Sequence, residues 1–344
     1  MQPQYKELNY TSVDKEFYIQ ELKSRMPARI LDAHIHMNLP MHIKYISKER
    51  VLSDWAFEAG LILPVYKAFE NAKKMFPETE YSAFGFPWPI QEADLKGNNA
   101  YLLEQKSKYP IHPFMSVDPN MTVSYIEENL TNFQGYKPYP DLVSNIKGAE
   151  ISIFSFLPHE QLEILNKYKK AVVIHLPRKD RIADKNNIKE LLEMRQKYPD
   201  IKIVIAHFGR SFNPIYLNKA IDEMHKDIGG FYFDTAAVLN PDVYELAFTN
   251  IPEDNILFGT DAPIMNWHGK RKWTDVTYIN MVREPFSWNN HIEGEEKENK
   301  YTFFVYEQLK SIFDTIEKLG LSKKFKDKLF YDNAAQFARG NINI

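Results

Sequence analysis

The sequence predicts an α/β protein, a (β/α)8 TIM barrel with extra N- and C-terminal helices and long βα loops. Short runs of β-branched and aromatic residues alternate with longer stretches of helical periodicity, the pattern of βαβ units around a parallel sheet. About eight such runs occur, the number a barrel needs. Polar residues recur where these runs end: His34 and His36 close the stretch from Arg29, His175 closes Ala171–Ile174, His207 closes Lys202–Ala206, and Asp261 closes the stretch from Asn255. In a parallel barrel those strand ends meet at one face, where such folds keep their chemistry.

In chain order, a charged helix near Val13 to Arg25 stops at Pro27, and the first strand runs from Arg29 to Ala33. The second strand is placed at Gly60 to Val65, the third at Ile111 to Val117 and the fourth at Gly135 to Pro138. Helices at Leu157 to Lys170 and Asn186 to Lys197 flank strand five, Ala171 to Ile174. Strand six is Ile203 to Ala206, and the helix from Asn213 to Asp227 stops at Gly229-Gly230. Strands seven and eight are Phe231 to Asp234 and Ile256 to Gly259. A long helix from Tyr301 to Leu319 ends at Gly320, Ser322 opens another, and Tyr331 to Ala338 forms the last.

Two connections, Tyr66 to Gly97 and Pro263 to Lys300, exceed simple βα loops, and long loops in compact domains are functional lids or linkers. Their aromatics, among them Phe84, Phe86, Trp88, Trp267 and Trp288, argue for packed pocket walls. The acidic run Glu293 to Glu298 reads as a solvated tip. No repeat of 20 to 50 residues and no composition shift divides the chain, so one domain over residues 1–344 is expected.

With 344 residues, 44% hydrophobic and 14% aromatic, the chain can bury one large core. A net charge of −3 leaves no footprint for nucleic acid. No cysteine is present, which removes disulfides, thiolate ligands and a cysteine nucleophile. The N-terminus to Arg29 has no apolar signal-peptide core, and no run approaches the roughly 18 apolar residues of a membrane span. A soluble cytoplasmic protein acting on a small molecule is expected.

Side chains two apart on a strand share a face, so His34 and His36 can reach one point about 6 to 7 Å apart along the chain. Alone such a pair is equally a surface or capping feature. The recurrence of His175, His207 and Asp261 at the same point of three further strands, where a core wants Val or Ile, turns the pair into a candidate metal site. An open position on a zinc ion lowers the pKa of a bound water to roughly 7. Asp261 could touch metal and accept a proton, while His207 could polarise a carbonyl or protonate a leaving group. Spacing leaves open which histidine is ligand and which is acid.

The segments Asp32-Ala-His-Ile-His, Val173-Ile-His, Ile205-Ala-His-Phe-Gly, Gly259-Thr-Asp-Ala-Pro and Asp332-Asn-Ala-Ala-Gln-Phe resemble the amidohydrolase superfamily, in its amidohydrolase-2 branch of metal-dependent barrel hydrolases and decarboxylases. The resemblance runs from about Ile30 to Ala338. It implies that His34, His36, His175 and Asp261 hold one divalent metal, zinc with manganese as the alternative, and that His207 is an acid or base. Binuclear relatives use a carboxylated lysine near the place of Lys137. A free Lys137 pairing with a substrate carboxylate fits the mononuclear form better. The resemblance also favours a homodimer.

Arg178 and Arg210, each three residues beyond a site histidine, could clamp an anionic substrate or merely bridge loops. Trp88 and Trp267 could wall the pocket, and Asp234 is expected to orient structure. Of the other histidines, His268 stands out because it lies in the long loop after Asp261. The leading expectation is a hydrolase of an ester, lactone or amide carbonyl. The alternative is a non-oxidative decarboxylase using the same residues. A barrel that binds without turnover ranks below both, since it needs no spare histidine beside a metal.

Overall fold

A computed structural model of the chain describes residues 2–53, 55–143, 151–289 and 291–340. Its strands are β1 (Arg29–His36), β2 (Glu80–Phe86), β3 (Ile111–Pro113), β4 (Met115–Ser116), β5 (Gly135–Lys137), β6 (Ala171–Ile174), β7 (Lys202–Ile205), β8 (Tyr232–Asp234) and β9 (Ile256–Leu257). They pair in parallel and in chain order, β1 to β3 and β4 to β9. β3 and β4 form one barrel strand interrupted at Phe114, whose N–H still donates to the Gly85 carbonyl at 2.9 Å. The ring closes between the last strand and the first. Ala33 N–H donates to Phe258 O at 2.7 Å, Asp261 N–H to His34 O at 2.8 Å and His36 N–H to Ala262 O at 2.9 Å. The chain is therefore a (β/α)8 barrel of eight strands.

The second strand is not where the apolar run suggested. Gly60 to Val65 is a buried connection whose Pro64 sits at the N-cap of the helix Val65–Met75. Pro64 has no N–H for a ladder and is well placed to start a helix. Val65, Ala68, Ala72 and Met75 then recur at helical spacing on the buried face. The barrel strand is β2, inside the segment expected to be a loop, because Ser82, Ala83 and Gly85 dilute its apolar signal. Helices His159–Lys167, Lys185–Lys197, Pro214–Met224 and Phe304–Lys318 lie where periodicity placed them. Among the described residues, no helix is long and apolar enough to cross a membrane.

The barrel interior is packed by Leu31, Ala33, Phe84, Phe86, Val173, Val204 and Leu257, and the C-terminal helix Asn333–Arg339 plugs its lower end with Phe337. Alternate strand residues such as Ile30, Val172, Ile203 and Phe233 face the helical layer. After β9, an antiparallel hairpin of β10 (Gly269–Trp273) and β11 (Tyr278–Val282) rises over the mouth.

His268, just before this hairpin, fastens distant segments. Its Nε2 lies 3.0 Å from Asp14 of the N-terminal helix, its Nδ1 bonds Glu284, and Thr302 donates to Asp14 at 2.9 Å. Burial alone would depress the imidazolium, but the two carboxylates outweigh it and raise the His268 pKa to about 9. The raised value means stability that is complete below the unfolded pKa near 6.5 and lost as pH climbs through 9. The shift corresponds to about 3 kcal/mol. The unfolding free energy from denaturant titration should therefore fall between pH 7 and 10, and His268→Gln should flatten that slope. An unchanged slope in the variant would refute the assignment.

Candidate active site

Strict alternation explains only part of how the polar groups reach the mouth. In β6, Ala171 and Val173 face the interior, so His175 follows in phase. In β9, Leu257 faces the interior, and Asp261, beyond the strand end and with positive φ, reaches the mouth through a left-handed turn. Phase alone would turn His34 and His36 outward, because Leu31 and Ala33 are interior. The β1–β2 register instead shifts between Asp32 and Ile35, and the bulge sends Ile35 and Met37 to the outer layer and the two histidines inward. His207 follows interior Ala206 and would also point out. A left-handed turn with positive φ at His207, Phe208, Gly209 and Arg210 reverses it.

Two small-residue contacts permit this arrangement. A Cβ on Gly259 would stand 2.9 Å from the His34 Cβ, and one on Gly209 would meet Ile182 at 2.4 Å. Below the mouth, buried Asp32 accepts from His34 N–H at 3.1 Å, Thr260 N–H at 2.9 Å, Thr260 Oγ1 at 2.6 Å and Tyr81 OH at 2.8 Å. That carboxylate holds β1, β2 and the Asp261 turn together.

Hydrogen bonds fix the imidazole tautomers. His34 Nδ1 lies 2.9 Å from Asp234 Oδ2, His36 Nδ1 lies 3.1 Å from the Pro87 carbonyl, and His207 Nδ1 lies 2.8 Å from the Ala236 carbonyl. Each acceptor needs an N–H, so each ring presents a bare Nε2 to the mouth. His34 Nε2 and His36 Nε2 each stand 3.6 Å from Asp261 Oδ1. The ligand atoms of His34, His36 and Asp261 lie within 4.8 Å of one another. His34 Nε2 is buried and has no hydrogen-bond partner. His175 shares the pocket, with its ring centroid 5.3 Å from that of His207 and 4.6 Å from Tyr139, but it stands outside the 4.8 Å group.

Burial holds His34, His36 and His175 well below the usual imidazole pKa and brings His207 to about 3. Neutral rings with fixed tautomers are what a divalent cation requires. Burial also raises the Asp261 carboxyl, and Lys137 offsets part of that rise. Lys137 is itself lowered by burial, partly restored by Asp234 and Asp261, and its buried Nζ has no hydrogen-bond partner among the described residues. A bound cation would reverse the balance at Asp261 by favouring the carboxylate. The orphaned His34 Nε2, the bare His36 Nε2 and Asp261 thus fit a divalent metal, with His175 as the adjacent donor.

Asp234 is engaged three times, by the His34 ring through Oδ2 and, through Oδ1, by His207 N–H at 2.8 Å and Ala236 N–H at 3.1 Å. It positions both histidines, as an outer carboxylate does around a metal ligand. Replacing Asp234 with Asn should weaken metal binding by about 10- to 100-fold. Titration of metal-free protein with Zn²⁺ or Mn²⁺ measures this, and wild-type affinity in the variant would remove Asp234 from the site.

The pocket above these groups has a volume of about 180 Å³. Lys137, Arg210 and Trp88 line it as expected, Trp88 with its ring 4.1 Å from that of His36. Two expected lining residues are elsewhere. Arg178 is tied to the helix Lys185–Lys197, with Nη2 2.6 Å from Glu190 Oε1 and Nη1 2.6 Å from Asn187 Oδ1, so it bridges loops. Trp267 packs edge-on against Phe286 at 5.1 Å, beside Lys6 and Gly60, and walls a separate cleft. Residues not foreseen complete the lining: Arg50, Trp55 and Phe57 from the β1–β2 connection, Tyr139, and Arg271 with Tyr278 from the hairpin. Arg271 and Tyr278 lie in the long connection Pro263 to Lys300 that the sequence marked, whereas Arg50, Trp55, Phe57 and Tyr139 lie outside both marked connections.

Residues 32–339 match a family model described as amidohydrolase. No curated protein matches the chain. Among solved structures, the chain is similar to a 5-carboxyvanillate decarboxylase from Novosphingobium aromaticivorans complexed with manganese, at 12% identity over 92% of this chain and 97% of that one, with a TM-score of 0.57. It is similar to a 4-oxalomesaconate hydratase from Rhodopseudomonas palustris, at 16% identity over 90% and 96%, with a TM-score of 0.55. A structure from Pseudomonas putida described as a 2-pyrone-4,6-dicarboxylic acid hydrolase is similar at 15% identity over 92% and 100%, with a TM-score of 0.54. At these identities the likeness is one of fold.

Proposed function

The chain belongs to the amidohydrolase family, and from that premise we propose that it is a metal-dependent hydrolase acting on the ester, lactone or amide carbonyl of a small anionic ring compound. The observation that carries the reading is the convergence of bare His34 Nε2 and His36 Nε2 on Asp261 Oδ1, 3.6 Å from each. These residues, with His175, would hold zinc or manganese. The ion supplies Lewis acidity and brings a water to a pKa of roughly 7.

The protein's own groups do the rest. Asp261 Oδ1 faces the ligand histidines, which leaves the second carboxylate oxygen to take a proton from the attacking water. His207, held by Ala236 O, aims its bare, neutral Nε2 into the pocket, where it accepts a hydrogen bond from the attacking water, and the proton taken by Asp261 is returned to the leaving oxygen. Lys137 and Arg210 attract a carboxylate on the substrate. Trp88 and Tyr139 wall the ring and exclude water. A volume of about 180 Å³ suits one substituted six-membered ring, since an apolar cavity of roughly 150 Å³ accepts benzene.

A second reading, non-oxidative decarboxylation, is favoured by Lys137 and Arg210 beside aromatic walls, a combination that also suits a ring carboxylate. Two of the similar structures bear on these readings by their own names, one a decarboxylase and one a hydrolase. Reacting metal-loaded protein with carboxylated lactones and hydroxybenzoates in ¹⁸O-water separates the two. Incorporation of ¹⁸O into product supports hydrolysis, release of CO₂ supports decarboxylation, and neither across both panels refutes both.

A further inference from the structure

We propose that Arg271, carried by the β10–β11 hairpin, is a specificity-determining anchor for a carboxylate on the substrate ring, a role that rests on the reading of this pocket as the active site. Along β10 the burial alternates, with Lys270 and Lys272 exposed and Arg271 turned inward, 6% exposed, to line the pocket. The hairpin follows the Asp261 turn and is added to the eight-stranded barrel, so Arg271 is not part of the strand-end constellation.

Arg271 makes no direct ion pair among the described residues, and the Asp261 carboxylate acts on it only through space. Its Nη1 donates to the Ala237 carbonyl and its Nε to Asn280 Oδ1 at 2.9 Å, both neutral acceptors. Its Nη2 has only Met265 Sδ at 4.0 Å. Among the described residues, no carboxylate oxygen lies within 4.0 Å of the guanidinium. Of the other arginines near the mouth, Arg50 is held by Glu92 and Asp141 and Arg178 by Glu190, while Arg210 donates to the Leu176 and Arg178 carbonyls. Burying an uncompensated cation is unfavourable unless an anion arrives.

The surroundings specify the kind of anion. The guanidinium lies 4.3 Å from the centroid of Tyr278, 5.3 Å from Phe212 and 5.7 Å from Phe304. Aromatic faces and the Asn280 bond fix the fork, leaving Nη2 as its under-used edge. A planar carboxylate is the group that such an edge recognises best. Tyr278 and Phe212 line the same pocket and would flank the ring that bears it.

The test is calorimetric titration of the full chain with benzoate and with benzamide, in the wild type, Arg271→Met and Asn280→Ala. Neither ligand has an ester or lactone to cleave, so binding is read independently of the reaction. Wild type should prefer benzoate, Arg271→Met should weaken benzoate by about tenfold or more with benzamide unchanged, and Asn280→Ala should weaken benzoate severalfold. Wild type that does not prefer benzoate, equal benzoate affinity in Arg271→Met, or equal weakening of both ligands would each overturn the proposal. If Arg271→Met does not fold, the benzoate to benzamide ratio of Asn280→Ala decides, and an unchanged ratio overturns it. Intact discrimination with no turnover on any substrate panel would count against the reaction alone.

Discussion

Asp261→Asn is expected to lower turnover by about 10²- to 10⁴-fold, the range for removing a positioned acid or base. The substitution keeps shape and removes the charge that faces His34 and His36. It should not unfold the protein. Burial raises the carboxyl of Asp261, so the ionised form is unfavourable in the folded chain and a neutral amide relieves that penalty. Thermal unfolding alongside steady-state kinetics separates the two effects. Activity within a few-fold of wild type would show that another group takes the proton.

His34→Ala should reduce bound divalent metal from about one equivalent to near none and abolish turnover with it, because a ligand lost from a small donor set removes most of the affinity. Elemental analysis of the purified variant beside wild type measures this. His34 is the sharper probe than His36, since its Nδ1 is also tied to Asp234 and its Nε2 has no hydrogen-bond partner among the described residues. About two equivalents in wild type would bring Lys137 in as a bridging ligand. No metal in wild type after reconstitution would refute a metal-dependent mechanism.

His175 and Asp234 were legible because they stay in phase with the strands that carry them, and Asp261 because it closes the apolar run of the last strand. His34 and His36 were expected to share one face at the mouth, and His207 to join them, but what turns these three side chains inward was not legible. A bulge between Asp32 and Ile35 and a left-handed turn from His207 to Arg210 turn them, and such features leave no periodic trace. The position of β2 was hidden because Gly60 to Val65 is apolar for packing under the β1–β2 connection, whereas Ser82 and Gly85 weaken the true strand. Arg178 and Arg210 occupy equivalent positions after their histidines. Tertiary placement separates them: Glu190 draws Arg178 away, while Arg210 donates to the Leu176 and Arg178 carbonyls and lines the pocket. The hairpin bearing Arg271 lies far from the histidines in sequence, and its inward face shows only once β10 and β11 pair.

The positive φ values at His207, Arg210 and Asp261 have an implication for directed evolution of this protein. A non-glycine residue in the left-handed region carries a conformational penalty of order 1 kcal/mol or more. Glycine at any of these three positions would relax the backbone while erasing a candidate functional side chain. A library screened only for heat resistance would therefore enrich survivors that have lost their chemistry, and selection for robustness must be coupled to selection for turnover.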